Sequence, residues 1–294
     1  MDKFESYLSV ERQLARDTVI NYLYFINHFK KFLFPKDMNQ AAREDITSFL
    51  SQLQNRGLVK SSIGLYVVAL RNYFKWAYYT YRTDSLAQVD FFLRNIIKTK
   101  RDSKIPVIPT KEEVLKLRSV LSQFLQLNSW NKNCRPYKDT LRAFAMIELF
   151  ITAGLRSKEL KGLLRKDVDL DKRIIFVRQG KGDFQRISLF GNSAVEVLKE
   201  YFALCNFAPD EIIFPMAQQN VINRTIKLWA AKAQINPSIH AHSFRHYFIT
   251  ESRRQGIDIQ IVADQVGHRD LNTTKHYTHF DIDYIRDSYR QIKI

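Results

Sequence analysis

In VDLDKRIIFVRQGKGDFQRISL, residues 168–189, the hydrophobic period changes from helical to alternating. Val168, Leu170, Ile174, Phe176, Ile187 and Leu189 alternate with polar neighbours. Asp171-Lys172 and Gly180-Lys181-Gly182 mark turns, so three short antiparallel strands are expected here. Elsewhere the apolar residues recur at steps of three and four, the spacing of helices with one buried face. The chain is expected to be mainly α, with one small three-stranded antiparallel sheet in its second half.

Upstream, Leu23, Ile26, Phe29 and Leu33 predict a helix over 18–33, with Asp17 as its N-cap. Ile46, Phe49, Leu50 and Leu53 predict another over 44–55, stopped by Gly57. A third spans 61–81, with Leu65, Val68, Ala69, Tyr73 and Trp76 expected on its buried side. Thr110 and Glu113 form a capping-box signature for a helix to Leu121. Residues 124–139 read as an irregular connection, and 141–152 as a buried helix. Downstream of the sheet, helices return from Ser193, and one over 259–266 is closed by Gly267. Lys98 to Pro109 is basic, contains two prolines and is poor in large apolar groups, as in a linker. The expected division is a helical domain over 1–103, a linker over 104–110 and a second domain over 111–294.

Length and charge agree with that division. The 294 residues exceed one compact core, and 45% hydrophobic with 26% charged residues excludes a disordered or collagen-like chain. Lysine and arginine outnumber aspartate and glutamate by 16, split as +7 over residues 1–105 and +9 over 106–294, so a polyanion is the expected partner. Two cysteines, Cys134 and Cys205, make neither a disulfide framework nor a paired-cysteine zinc pattern. Charges interrupt every apolar stretch, so the protein is expected to be soluble, cytoplasmic and without a membrane segment.

Four short stretches carry chemistry. In Ala153-Gly154-Leu155-Arg156-Ser157-Lys158-Glu159, Gly154 ends one helix and Ser157 can cap the next, placing Arg156 at a helix N-terminus suited to a phosphate. A surface arginine beside a cap fits the same residues. Lys181 sits between two glycines at the hairpin tip, where either a groove or solvent can receive it. In His240-Ala241-His242-Ser243-Phe244-Arg245-His246, His242, Arg245 and His246 share a helix face, with Phe244, Tyr247 and Phe248 turned to the core. The spacing of His242 and His246 also suits zinc, but Arg245 opposes a cation and neither a carboxylate nor a cysteine ligand stands nearby in sequence. Finally, Gly267-His268 is followed nine residues later by Tyr277.

In this order the four pieces resemble the tyrosine recombinases, the lambda-integrase-like family, and most closely its Xer-like members. The resemblance spans the chain and implies a SAM-like, all-helical core-binding domain followed by an α-rich catalytic domain with a C-terminal tail helix. It implies that Tyr277 is the nucleophile, that Arg156 and Arg245 clamp the scissile phosphate, and that His268 hydrogen-bonds a non-bridging oxygen. Lys181 is implied as general acid, His242 as an assisting acid or base, and Glu159 as a brace. After Gly182 the sequence departs from the family, with Asp183-Phe184-Gln185 before Arg186. Tyr247, Tyr284 and Tyr289 are other phenols nearby in sequence, but none follows Gly-His at the family spacing.

The implied activity is site-specific DNA recombination through a 3′-phosphotyrosyl intermediate, for dimer or cointegrate resolution or for mobile-element integration and excision. A type IB topoisomerase and a DNA-binding architectural protein that never cuts are the rivals. No metal or cofactor is expected, and no Walker-type glycine loop is found. The partner is expected to be double-stranded DNA with an inverted-repeat core site, encircled by the two domains and contacted by Arg16, Lys60, Arg71 and Arg186. Two protomers per site and four per synapse are expected, joined through the tail.

Overall fold

The computed structural model describes residues 2–82, 84–95, 106–178, 185–215 and 218–267. Lys181, His268, Tyr277 and the tail over 278–294 lie outside the described residues, as do residues 104 and 105 of the expected linker. The chain divides into two compact units, Met1–Lys104 and Ile105–Ile294.

The first unit is helical throughout its described residues: α1 (Asp2–Ser6), α2 (Arg16–Leu33), α3 (Arg43–Asn55), α4 (Lys60–Tyr81) and α5 (Asp84–Asn95). Its core is aromatic. Phe4, Phe29, Phe49 and Phe74 are fully buried, and the Phe29 and Phe49 rings meet at 5.0 Å between centroids. The cap of α2 is Ala15 rather than Asp17, which lies inside the first turn, where its carboxylate still complements the helix dipole. The buried stripe of α4 includes Ala69 and Tyr73 as expected but is turned towards Tyr66, Val67, Leu70, Phe74 and Ala77, with Leu65 54% exposed and Val68 and Trp76 half-buried. Apolar side chains surround most of this helix, so its sequence supports two adjoining stripes and packing against α2 and α5 selects one.

Two expected DNA contacts of this unit, Arg16 and Lys60, are exposed at the first residues of α2 and α4. The third also makes a bond within the unit. Arg71 is half-buried and its Nε donates to the Leu93 carbonyl at 2.6 Å, tying α4 to the last turn of α5.

The second unit comprises α6 (Lys111–Leu127), α7 (Arg135–Ala153), α8 (Ser157–Lys161), β1 (Val168–Asp169), β2 (Ile174–Val177), β3 (Arg186–Leu189), α9 (Asn192–Cys205), α10 (Gln219–Lys232), α11 (Ala241–Arg254) and α12 (Ile259–Val266). The capping box of α6 forms as expected: the Thr110 hydroxyl accepts from Glu113 N and the Glu113 carboxylate accepts from Thr110 N. The irregular connection is shorter than expected, because α6 runs on to Leu127 and α7 begins at Arg135, with Pro136 tolerated in its first turn. Helix α7 is the centre of the unit and packs against α6, α9 and α11. It also buries Glu148 completely, between Arg118 Nε at 2.6 Å and the Ser193 hydroxyl at 2.6 Å. Those bonds satisfy a charge that would otherwise oppose folding.

The sheet is antiparallel in the order β1-β2-β3, with Ile175 opposite Ser188 and Val177 opposite Arg186. Of the alternating apolar residues, Val168 faces inward and Phe176, Ile187 and Leu189 face outward. Val168, Ile175, Val177 and Ser188 point inward, while Ile187 and Leu189 are 55% and 58% exposed. Alternation separates two faces without saying which is inside, and here hydrogen bonds allow the small Ser188 to be buried: its hydroxyl donates to Ala153 O at 3.3 Å and accepts from Gln265 Nε2 at 2.9 Å.

Candidate active site

Gly154 ends α7 at φ +62°, a left-handed position that turns the chain sharply into α8. A Cβ there would stand 2.6 Å from the Phe248 ring, so the close approach of α11 to this turn also demands glycine. The turn delivers Arg156, which is itself the residue capping α8; Ser157, expected as the cap, is the first residue of the helix. Helix α8 is a little over one turn long, so positive charge at the site comes from guanidinium groups more than from a helix dipole.

Glu159 is buried and accepts four hydrogen bonds. Its Oε1 receives Arg156 Nη1 at 2.8 Å and Arg186 Nη1 at 2.7 Å, and its Oε2 receives Arg156 N at 2.8 Å and Arg186 Nη2 at 2.8 Å. Burial alone would raise the carboxyl pKa, but the hydrogen bonds and charge of Arg186, with those of Arg156, outweigh it and hold Glu159 below the usual range, ionised. Arg245, on α11 and only 3% exposed, donates from Nη1 to Gly154 O at 2.5 Å and from Nη2 to Val266 O at 2.5 Å. Arg156 Nη2 donates to Gly267 O at 2.6 Å, and Arg186 Nε to Gln265 O at 3.0 Å.

Three guanidinium groups therefore accept responsibility for three successive carbonyls, those of Gln265, Val266 and Gly267, where α12 runs out of internal partners. With Glu159 ionised, the cluster of Arg156, Arg186, Arg245 and Glu159 carries a net charge of about +2. That charge is concentrated beside the chain that continues into His268.

His242 lies within reach of the same field. Burial lowers its pKa first, and Arg245, His240 and Arg156 lower it further, so its imidazole is neutral at pH 7 and can accept a proton. His246, one turn on, is pushed down to about 4 by burial and then by His242, His240 and Arg245. Among the described residues no group of three histidine, cysteine, aspartate or glutamate side chains could hold a metal ion.

The structure thus brings together Arg156, Glu159, His242 and Arg245 from the sequence expectation. Arg186, expected as a DNA contact, joins them: its guanidinium points inward onto Glu159 and is largely buried. Two participants escaped the sequence reading. Gln265 clamps β3 by accepting from Leu189 N at 3.0 Å and donating to Leu189 O at 2.6 Å, and His240, the residue before α11, has its Nδ1 2.9 Å from the Ser243 hydroxyl. Both contacts depend on side-chain pairing that periodicity does not report.

Comparison with known proteins gives this cluster its setting. Residues 120–283 match the phage integrase family, and residues 1–80 match the phage integrase N-terminal SAM-like domain. The chain belongs to the phage integrase family. Its relatives include the tyrosine recombinase XerC of Pediococcus pentosaceus, 28% identical over 98% of this chain and 95% of that protein. XerC of Bacillus subtilis is 28% identical over 97% of this chain and 93% of the relative, and XerD of Chlorobaculum tepidum is 27% identical over 99% and 94%. In fold the chain is similar to the XerH recombinase bound to palindromic difH in a post-cleavage complex, with a TM-score of 0.72 at 21% identity over 99% of this chain and 84% of the other. It is likewise similar to a lambda integrase dimer bound to a COC′ core site, with a TM-score of 0.67 at 17% identity over 94% and 93%. This member of the phage integrase family is a tyrosine site-specific recombinase, which favours that expectation over a topoisomerase or a non-cutting architectural protein. Among the described residues, no helix is long and apolar enough to cross a membrane.

Proposed function

We propose that this recombinase cleaves and rejoins double-stranded DNA with Tyr277 as nucleophile, inside the positive cluster built from Arg156 and Arg245. The observation that carries the proposal is the convergence of those two arginines, from α8 and α11, on the carbonyls of Val266 and Gly267. An ordinary tyrosine is only about 0.1% ionised at neutral pH, so attack on a phosphodiester needs a base and a field that stabilises added negative charge. Arginine donors match the oxygens of a pentacoordinate phosphorus, and the cluster's net positive charge stabilises the additional negative charge of the transition state.

In the proposed step the Tyr277 phenolic oxygen forms a bond to phosphorus as the bond to the 5′ oxygen breaks. Neutral His242 assists removal of the phenolic proton, and Lys181 gives a proton to the departing 5′ oxygen. His268 hydrogen-bonds a non-bridging oxygen. The products are a 3′-phosphotyrosine and a 5′ hydroxyl. Bond energy stays in the new ester, so attack by a 5′ hydroxyl from a second strand reverses the step and joins new partners, and the reaction balances without ATP.

The partner proposed is an inverted-repeat DNA core site bound by two protomers, with four in the synapse, contacted by Arg16 and Lys60 among other basic residues and acting in the cytoplasm. The DNA-bound XerH and lambda integrase structures support that reading by likeness of fold. The tail over 278–294 is proposed to join neighbouring protomers. A suicide substrate nicked beside the scissile phosphate tests the chemistry: the native protein should give a denaturation-resistant protein–DNA adduct and Tyr277→Phe should give none. An adduct that persists in Tyr277→Phe refutes the nucleophile.

A further inference from the structure

Arg186 lies five residues after Lys181 in the sequence, and Gln265 lies three residues before His268. In the fold the two meet: Arg186 Nε donates to Gln265 O at 3.0 Å, and the Gln265 side chain holds both backbone groups of Leu189 on β3. The same guanidinium spends its two terminal nitrogens on the two oxygens of Glu159, and Glu159 in turn fixes both the backbone and the side chain of Arg156. Its Nη1 also stands 3.1 Å from where a Cβ on Gly267 would lie, so Arg186 rests against the turn that leaves α12. From its place on β3, one side chain thus touches two parts of the site, the carboxylate that orients Arg156 and the backbone at the end of α12.

We infer that Arg186 is a positioning residue for DNA cleavage, joining β3 to Glu159 and to the end of α12 so that the Arg156 guanidinium is held ready for the scissile phosphate. The inference rests on the proposed Tyr277 chemistry and adds a residue that reaches the phosphate only through others. Two effects act together. The bidentate fork restricts Glu159 to one orientation and so restricts Arg156. It also shares the charge of Glu159, which would otherwise be paired with Arg156 alone and reduce the positive potential offered to the phosphate. Lysine at this position keeps the charge but cannot span both carboxylate oxygens and the Gln265 carbonyl with a planar fork.

The test is single-turnover cleavage of the suicide substrate at saturating DNA, set beside equilibrium binding of the same site over a series of salt concentrations, for the native protein, Arg186→Lys and Arg186→Gln. Arg186→Gln should lose about tenfold or more in cleavage rate and Arg186→Lys an intermediate amount. Affinity and its salt dependence should stay within about threefold of native, because no phosphate contact is removed. A saturated rate within about threefold of native in Arg186→Gln overturns the inference, whether the variant loses affinity, as a direct DNA contact would, or only melting temperature, as a purely structural strut would. If Arg186→Gln does not fold, Arg186→Lys carries the same readouts, and a native rate in it overturns the inference. Failure of the native protein itself to form an adduct counts against the Tyr277 chemistry instead, so the two failures are distinguishable.

Discussion

Arg245 spends donors on Gly154 O and Val266 O and is almost wholly buried, so its orientation is set before DNA arrives. Arg245→Lys replaces a planar fork with a single ammonium that cannot span the two carbonyls. Single-turnover cleavage should fall about a hundredfold in this variant, and a rate near native would remove Arg245 from the site. His246 makes a different prediction. Its folded pKa of about 4 lies below the ordinary 6.5 because of burial first and neighbouring positive charge second. Between those values the unfolded chain binds a proton that the folded one refuses, so stability should fall as pH drops from 6.5 towards 4. Thermal denaturation across that window should show a shallower fall for His246→Gln, and an unchanged slope would exclude His246 as a source. At this scale Arg156, Glu159 and Arg245 were legible because their motifs are local in sequence. The partners of Arg186 were not, since Glu159 lies 27 residues earlier and the Gln265 carbonyl 79 residues further along.

Among the elements, the turn from α7 into α8 is the most constrained. Gly154→Ala would force a side chain into a left-handed residue and against Phe248, costing about 1–3 kcal/mol. A melting temperature unchanged from native would contradict that account. Helix positions were largely readable from three- and four-residue spacing, and α12 was expected with its observed bounds, 259–266. Which face each element buries was less readable. The aromatic surface of α4 supported two stripes, and the alternation in β3 gave no reason to bury Ser188 rather than Ile187 and Leu189. Those choices are made by packing and by hydrogen bonds to Ala153 and Gln265, neither of which belongs to the strand itself.

Across the whole molecule, positive charge is present in both sequence halves, +7 and +9, while only a few arginines are committed to the cluster around Glu159. The remainder is proposed to supply the non-specific part of DNA binding, so affinity should fall steeply with salt, and Arg16→Ala or Lys60→Ala should each lower the salt slope by about one. A slope unchanged in either variant removes that residue from the interface. Truncation after Tyr284 is expected to leave half-site binding intact and to disturb assembly or the coordination of cleavage; synapsis and recombination at native levels would show that the tail is not the joint. The central claim concerns a single bond. Mass spectrometry of the peptide left on the suicide substrate should place the DNA 3′ phosphate on Tyr277, and an adduct carried by Tyr284, Tyr289 or any other residue would contradict it.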